Sequence, residues 1–256
     1  MARFFVPRKN ITDQRATVEG PELDHLRKVL RLGPGDPIIV FDDAGWEHEA
    51  VIRSVSAQTA EIDVLRSVQA ERESPLQLTL AVGLTKGEKM DFVVEKATEL
   101  GVQAIVPFVS AYTVPKLDQR KIEKRGERWQ KIALSAAKQC GRTRIPEIFP
   151  LIDFENMVQQ TTGPLNLLFW EKEAHQTLKQ VYETDPDTRS ILLVIGPEGG
   201  LSDQEADLAQ RHGFKAIRLG GRILRAETAA VAATSLVQYL WGDLGSGPLA
   251  SAAGIL

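Results

Sequence analysis

Two strand–glycine–helix units near the carboxyl end constrain the fold of this chain more than any other feature. In the first, an apolar run at 191–195 is followed directly by the turn 196–200, Gly-Pro-Glu-Gly-Gly. Such an apolar run is typical of a strand buried on both faces of a parallel sheet. Ser202 and Glu205 have the spacing of a capping box, which predicts the start of a helix, and Gly213 predicts its left-handed end.

The second unit repeats this order. Residues 216–219 predict a short strand, Gly220 and Gly221 a turn, residues 222–228 a loop, and residues 229–241 a long apolar helix. Ligands bind in open α/β sheets at the edge where the strands end. The sequence therefore predicts a binding site built from these two glycine turns.

The composition is that of an ordinary globular protein, and it excludes several classes. The chain has 256 residues, of which 43% are hydrophobic and 25% charged, which suits one large or two smaller domains. It contains no apolar run of the roughly 20 residues that a membrane span needs, and its first residues do not resemble a signal peptide. With a single cysteine, Cys140, and four histidines, we expect no disulfide and no metal, and a cytoplasmic location.

Charge is distributed unevenly along the chain. The formal net charge is −3, yet residues 73–145 carry 13 basic and 8 acidic side chains, whereas residues 146–256 have a net charge of −6. A solvated helix face with mixed charges explains the basic segment. A surface that attracts a phosphate backbone explains it equally well, and both interpretations stay open.

Residues 1–72 predict a small barrel of short strands with one helix. The helix is predicted at 22–31, with Leu23, Leu26, Val29 and Leu30 on its buried side. Such a barrel is typical of RNA-binding modules, although composition alone fits a structural cap as well.

The polar, proline-containing segment 71–75 predicts a domain boundary, and the second domain is predicted to span residues 75–243. Its first elements are a strand, a helix at 90–100 and another strand, followed by a long helix at 118–141. The glycine-, alanine- and serine-rich residues 244–256 predict a flexible tail.

The glycine turns match neither of the common phosphate-binding motifs. The first lacks the Gly-Lys-Ser/Thr of a P-loop and the Gly-x-Gly-x-x-Gly of a dinucleotide fold, and the acidic charge of this part of the chain fits a polyphosphate poorly. Glycines allow the main chain to approach a ligand closely, which suits a flat uncharged group such as adenine. A tight turn without a ligand is the alternative.

Taken together, the two segments resemble the small-subunit ribosomal RNA methyltransferase E family, which belongs to the SPOUT class. The resemblance rests on Ile-Gly-Pro-Glu-Gly-Gly-Leu-Ser at 195–202 and on Leu-Gly-Gly-Arg-Ile-Leu-Arg-Ala-Glu-Thr-Ala at 219–229, and it covers the whole chain. It implies an α/β fold with a PUA-like β-barrel in residues 1–72 and a trefoil-knotted methyltransferase domain. It also implies S-adenosylmethionine (SAM) as methyl donor, a homodimer with the site at the subunit junction, and methylation of N3 of a uridine in 16S rRNA. A ribose 2′-O-methyltransferase and a non-catalytic RNA-binding protein remain the alternatives.

The resemblance also assigns roles to individual residues. The implied cofactor site comprises Gly196, Pro197, Glu198, Gly199, Gly200, Leu219, Gly220, Ile223, Leu224, Thr228 and Ala229, with the loop after the apolar run 165–169 as a third wall. Arg225 is expected to hold the uracil oxygens or an adjacent phosphate, since a guanidinium stabilises developing negative charge. Glu198 or Glu227 is the candidate for accepting the N3 proton, and each has helix capping as its alternative role.

Seven basic residues are expected to contact RNA: Arg3, Arg27, Arg31, Lys86, Lys89, Arg142 and Arg144. Two positions depart from the family pattern, which has an acidic residue in place of Lys138 and an arginine near Tyr112. We expect both to face RNA or a partner subunit.

Overall fold

The computed structural model describes residues 1–113, 118–160, 163–173 and 176–245, with only the backbone of Gln119. The chain forms two compact units. The first comprises Met1–Glu73 together with Ala137–Ile145, and the second comprises Ser74–Ala136 and the chain from Pro146 onward. Residues 137–145, which the sequence analysis placed in the second domain, thus cluster with the first unit. Most of the predicted tail, from residue 246, lies outside the described residues.

The first unit is built on a five-stranded sheet. Its strands are β1 (Ala2–Phe5), β2 (Arg15–Glu19), β3 (Pro37–Phe41), β4 (Trp46–Val55) and β5 (Thr59–Gln69), in the spatial order β1-β3-β4-β5-β2. Strands β1 and β3 are parallel and the other pairs are antiparallel. Register shifts between β4 and β5 bend the sheet around a core that includes Phe4, Val18 and Ile38.

The helix of the first unit differs from its prediction. Helix α1 (Gly20–Asp24) is followed by a π-helical turn, His25–Val29, in which the N–H of Leu30 donates to the carbonyl of His25. A π turn holds one residue more than an α turn. The buried stripe therefore ends at Leu26, and Val29 and Leu30 are exposed rather than buried as expected.

The second unit is built on a seven-stranded sheet in which every pair is parallel. Its strands are β6 (Gln77–Gly83), β7 (Ala104–Val109), β8 (Glu147–Ile148), β9 (Ile152–Asp153), β10 (Leu165–Phe169), β11 (Ser190–Ile195) and β12 (Lys215–Ile217). The order is β12-β10-β11-β6-β7-β8, and β9 also pairs with β7. Its helices are α2 (Lys89–Glu99), α3 (Gln119–Cys140, whose last turn belongs to the first unit), α4 (Phe154–Gln160), α5 (Leu178–Thr184), α6 (Asp203–Arg211) and α7 (Ala226–Trp241).

The strand order brings three connecting segments to one edge of the sheet. Strand β10 lies between β11 and β12, and both of its pairings are parallel. The turn after β11, the segment after β12 and the segment after β10 therefore leave the sheet side by side. This edge is where an open α/β sheet binds its ligands.

The helices that follow the two glycine turns begin at defined caps. Ser202 caps α6 in the predicted capping box with Glu205, and Gly213 ends that segment with a φ of +84°. Helix α7 begins at Ala226 rather than at residue 229, because Arg225 is extended and its carbonyl accepts the first helical bond, from Ala229. No helix in the described part of the chain has the length and apolarity to cross a membrane.

Candidate functional site

A cavity of about 640 Å³ opens at the carboxyl edge of β10, β11 and β12. It is lined by Lys89, by residues 169–171, 195–201 and 218–226, and by Ala229. Its volume lies within the range of roughly 300–1,000 Å³ that is typical of small-molecule sites. The two glycine turns and the predicted third wall thus meet around one cavity.

The first glycine turn is packed tightly against its surroundings. A Cβ on Gly199 would lie 2.8 Å from the Cβ of Tyr112, and one on Gly200 would lie 2.8 Å from Oε1 of Glu171. From behind, Gly83 at the end of β6 approaches Pro197 so closely that a Cβ there would lie 2.4 Å from the proline ring. The Pro197 ring and the Cβ of Tyr112 leave room only for glycine at positions 83 and 199, and the φ of +72° favours glycine at position 200.

The second glycine turn is open where the first is packed. Gly220 has a φ of +71°, and neither Gly220 nor Gly221 has an atom within 4 Å of the position of an added Cβ. The turn is held by the Nε of Arg218, which donates to the carbonyl of Gly220 at 2.9 Å. Beyond it, Ile223 is 88% exposed.

The charged groups around the cavity divide into paired and unpaired ones. Glu198 accepts hydrogen bonds from Nζ of Lys89 at 3.0 Å and from the N–H of Lys86 at 3.1 Å. Partial burial raises the pKa of Glu198, but these bonds outweigh burial and leave that pKa below its usual value. Arg222 and Arg225 form no ion pair with any described residue.

The lining carries four cations, Lys89, Arg218, Arg222 and Arg225, against Glu171 and Glu198. The sequence had predicted acidic surroundings from the negative charge of residues 146–256. The cavity is basic instead, because the acidic residues of this part of the chain mostly lie elsewhere on the unit.

Family models match both units of the chain. A model described as an RNA methyltransferase domain matches residues 72–238, and one described as an RNA methyltransferase PUA domain matches residues 18–65. The chain is 33% identical to the ribosomal RNA small subunit methyltransferase E of Bacillus subtilis over 247 residues, which cover 93% of this chain and 96% of that protein. The chain belongs to the ribosomal RNA small subunit methyltransferase E family.

Solved structures of similar proteins support this membership of the methyltransferase E family. One is a ribosomal RNA small subunit methyltransferase E from Neisseria gonorrhoeae bound to S-adenosylmethionine, with a TM-score of 0.86, 34% identity, and coverage of 95% of this chain and 99% of that one. Another is Lpg2936 from Legionella pneumophila in complex with SAM, with a TM-score of 0.88 and 33% identity. The match covers 94% of this chain and 98% of that one.

Ten of the eleven residues that the resemblance to the methyltransferase E family assigned to the cofactor line the cavity; the exception, Thr228, is exposed in the first turn of α7. Trp170, Glu171, Arg218, Gly221 and Arg222 also line it, although none of them was assigned individually to the cofactor. Gly221 belongs to the second predicted glycine turn. Trp170 and Glu171 belong to the predicted third wall. Arg222 stands in the second motif, so its position there was the available signal.

The three candidate catalytic residues occupy different places. Arg225 lines the cavity at the N-cap of α7. Glu198 lines it too, but its carboxylate is bonded to Lys89 and Lys86. Glu227 lies in the first turn of α7 outside the lining, with its Oε2 buried and without a hydrogen-bond partner in the described structure.

Two of the seven predicted RNA-contacting residues are held within the first unit, Arg142 buried and Arg3 half-buried. Arg3 pairs with Glu47 and donates to the carbonyl of Arg142 at 3.1 Å. Arg142 is only 4% exposed and pairs with Glu73 at 2.8 Å. Both guanidinium groups are held by protein partners and are not available to phosphates, which corrects the expectation for these two residues.

The other five predicted RNA-contacting residues are accessible to varying degrees. Arg31, Lys86 and Arg144 are exposed, as is Arg27, whose guanidinium donates to the carbonyl of Ala57 at 3.0 Å. Lys89 is half-buried beside Glu198.

The two positions that depart from the family pattern also differ from each other. Lys138 does not face solvent, because its Nζ lies 2.9 Å from both oxygens of Glu22 and 5.4 Å from the centre of the Phe4 ring. Tyr112 is 53% exposed and packs on Gly199 of the first glycine turn.

Proposed function

We propose that this protein transfers a methyl group from SAM to N3 of a uridine in the 16S rRNA of the small ribosomal subunit. The observation that carries the proposal is the single cavity that both family motifs build at the ends of β10, β11 and β12. The name of the family and the SAM-bound relatives support the choice of donor and of RNA.

The residues around the cavity fit the proposed cofactor. Gly220 and Gly221 leave the space of two side chains free, so that a flat ring can approach the main chain there. Leu219 and Leu224 offer an apolar surface to an adenine ring, and the turn 196–200 offers main-chain groups for its polar edge. When bound, SAM supplies an electrophilic methyl group on a sulfonium.

Arg225 is the residue that we assign to the chemistry on the RNA. Uracil N3 carries a proton and becomes nucleophilic only as that proton leaves, so negative charge develops on the ring. A guanidinium without a protein partner stabilises such charge. Arg225 is at the cavity and forms no ion pair with a described residue, so its charge is free for the uracil oxygens.

Neither candidate carboxylate meets the requirements of a general base. A base works best when its pKa is close to the operating pH, and that of Glu198 is lowered from its ordinary acidic value. Glu227 does not line the cavity. We therefore propose that the N3 proton passes to water while Arg225 stabilises the uracil anion.

The proposal includes the higher-order features that the family implies. These are a trefoil knot in the second unit, a homodimer that completes the site, and a cytoplasmic location where ribosomal subunits are made. An apolar outward face on α7, with Leu236 42% and Tyr239 62% exposed, supports the homodimer. The exposed residues Arg27, Arg31, Lys86 and Arg144 remain proposed RNA contacts.

Substitution of Arg225 tests the catalytic assignment. We expect Arg225→Ala to bind SAM with the affinity of the wild type, as measured by calorimetry. Its rate of 16S rRNA methylation should fall by at least about 100-fold, because one charge-stabilising donor is lost. Arg211→Ala, which removes an exposed cation from the last turn of α6, is the matched control. Near wild-type turnover of Arg225→Ala would remove this residue from the mechanism.

Nucleoside analysis of the methylated RNA tests the reaction itself. Mass spectrometry should detect 3-methyluridine in rRNA treated with the wild-type protein and SAM. A 2′-O-methylated nucleoside in its place would assign the protein to the ribose methyltransferases of the same fold. Absence of SAM binding would contradict enzymatic function altogether.

A further inference from the structure

Helix α3 carries a dense cluster of basic side chains in the second unit. Between residues 120 and 131 it contains six lysines and arginines and only two acidic residues. The sequence left open whether this segment is a solvated mixed-charge face or a surface for phosphates. The ion pairs of the structure distinguish the two.

One side of α3 is anchored to the second unit, and two of its cations, Arg128 and Lys121, are paired with aspartates. Nε1 of Trp129 donates to Asp91 of α2 at 3.1 Å, and Arg128 pairs with the same aspartate at 2.6 Å. Lys121 pairs with Asp118 at 3.4 Å. Trp129, Ala133 and Ala136 are buried beneath the helix, so the orientation of α3 on the second unit is fixed.

The opposite face of α3 carries three cations without such partners. Arg120, Lys124 and Lys131 are exposed, and none forms an ion pair with a described residue. At 100° per residue they lie within a narrow sector opposite Trp129. They extend over about 16 Å of helix axis, which corresponds to roughly four or five phosphates of one strand.

The composition of this face favours a polyanion over a membrane. The only acidic residue on it is Glu127, which leaves a net charge of +2, and the face contains no exposed large apolar side chain. Membrane-surface helices pair their basic residues with bulky apolar ones.

We propose that Arg120, Lys124 and Lys131 bind the phosphate backbone of the substrate RNA outside the cavity. We name this surface the α3 basic face. The proposal rests on the proposed function, which supplies an RNA substrate. The α3 basic face positions that RNA without reading its sequence, as phosphate contacts do.

The test compares a triple variant with a charge-matched control. In the first, Arg120, Lys124 and Lys131 are replaced by glutamine. In the control, three exposed cations elsewhere on the same unit, Lys179, Arg189 and Arg211, are replaced likewise. Binding of a 16S rRNA transcript is measured against salt concentration. The slope of log affinity against log salt should fall by about 2 to 3 in the first variant and stay at the wild-type value in the control, because each phosphate contact contributes roughly 0.7 to 0.9 to the slope.

A variant that gains RNA affinity tests whether the effect of the triple variant comes from misfolding. Glu127→Gln removes the acidic residue from the α3 basic face and should raise RNA affinity at low salt above that of the wild type. SAM affinity and the melting temperature should be unchanged in all three variants. Equal slopes in both triple variants, or no gain from Glu127→Gln, would overturn the inference.

The two proposals fail in different ways. The wild-type protein could methylate 16S rRNA while the triple variant of the α3 basic face keeps the wild-type salt dependence of RNA binding. In that case only the present inference is wrong. If the wild-type protein binds RNA through this face but never methylates it, the proposed function is wrong.

Discussion

At the scale of single residues, the wall of the cavity depends on a missing side chain behind it. Gly83 ends β6 directly against Pro197, and an added Cβ would lie 2.4 Å from the proline ring and 2.9 Å from the carbonyl carbon of Gly196. The obstacle is a ring and main chain rather than the end of a flexible side chain. A substitution must therefore displace the first glycine turn.

We expect Gly83→Ala to destabilise the protein by about 1–3 kcal/mol, as overpacking does, and to weaken SAM binding. Gly126→Ala is the control, because a Cβ at Gly126 inside α3 meets nothing within 4 Å and should stabilise the helix by roughly 0.5–1 kcal/mol. Denaturant unfolding and calorimetry measure both effects. Wild-type SAM affinity in Gly83→Ala would show that the turn does not depend on this contact.

Residue roles were predictable only where the motif itself carried them. The glycines and Arg225 were found because they stand in the two family motifs. Arg3 and Arg142 were misassigned because their partners, Glu47 and Glu73, are 44 and 69 positions away in the chain. Local sequence predicts exposure of an arginine, since arginine is mostly exposed in proteins, and it carries no information about such distant ion pairs.

At the scale of elements, two capping boxes provide a matched pair. In α6, Glu205 accepts from the N–H and hydroxyl of Ser202, and its other oxygen accepts from the N–H of Ala111 at 2.8 Å. In α5, Gln180 and Thr177 form an equivalent box away from the cavity. The first box therefore ties the glycine turn and a second loop to α6, whereas the second box only starts its helix.

We expect Glu205→Ala and Gln180→Ala each to cost about 1 kcal/mol of stability, the typical value of a lost cap. Only Glu205→Ala should also weaken SAM binding, since only its helix begins beside the cavity. Thermal unfolding and calorimetry on the two variants check this. Equal SAM affinities would mean that the turn holds its shape without the box.

Element boundaries were predicted well wherever a cap or a buried run marked them. The capping box located α6, and the apolar runs located β10 and β11. The start of α7 was placed three residues late, because Arg225 caps it through its extended backbone without a side-chain bond. The π turn after α1 was missed because the spacing of apolar residues in the sequence does not show that one turn holds an additional residue.

At the scale of the whole molecule, the local sequence pattern predicted two loops at the edge of a parallel sheet but not which strand lies between them. Strand β10 lies between β11 and β12 and so brings a third segment, with Trp170 and Glu171, to the cavity. Strand order depends on long-range packing, which periodicity does not encode. The resemblance to a family supplied this information, whereas local pattern alone left a ligand-binding turn and a bare turn equally acceptable.

The proposed homodimer gives the last prediction. Helix α7 buries one side in the second unit. Leu236 and Tyr239 lie three residues apart on its outward side and are 42% and 62% exposed, and Ile223 at the cavity is 88% exposed. A second copy of the chain would cover such an apolar surface.

Light scattering should give twice the 28.2 kDa of one chain. The double variant Leu236→Glu/Tyr239→Glu should give the mass of a single chain and lose methylation, because the partner completes the site. Leu65→Glu, at an exposed position on β5, should remain dimeric. A wild-type protein with the mass of one chain would contradict the dimer, and a monomeric double variant with full activity would contradict a site shared between subunits.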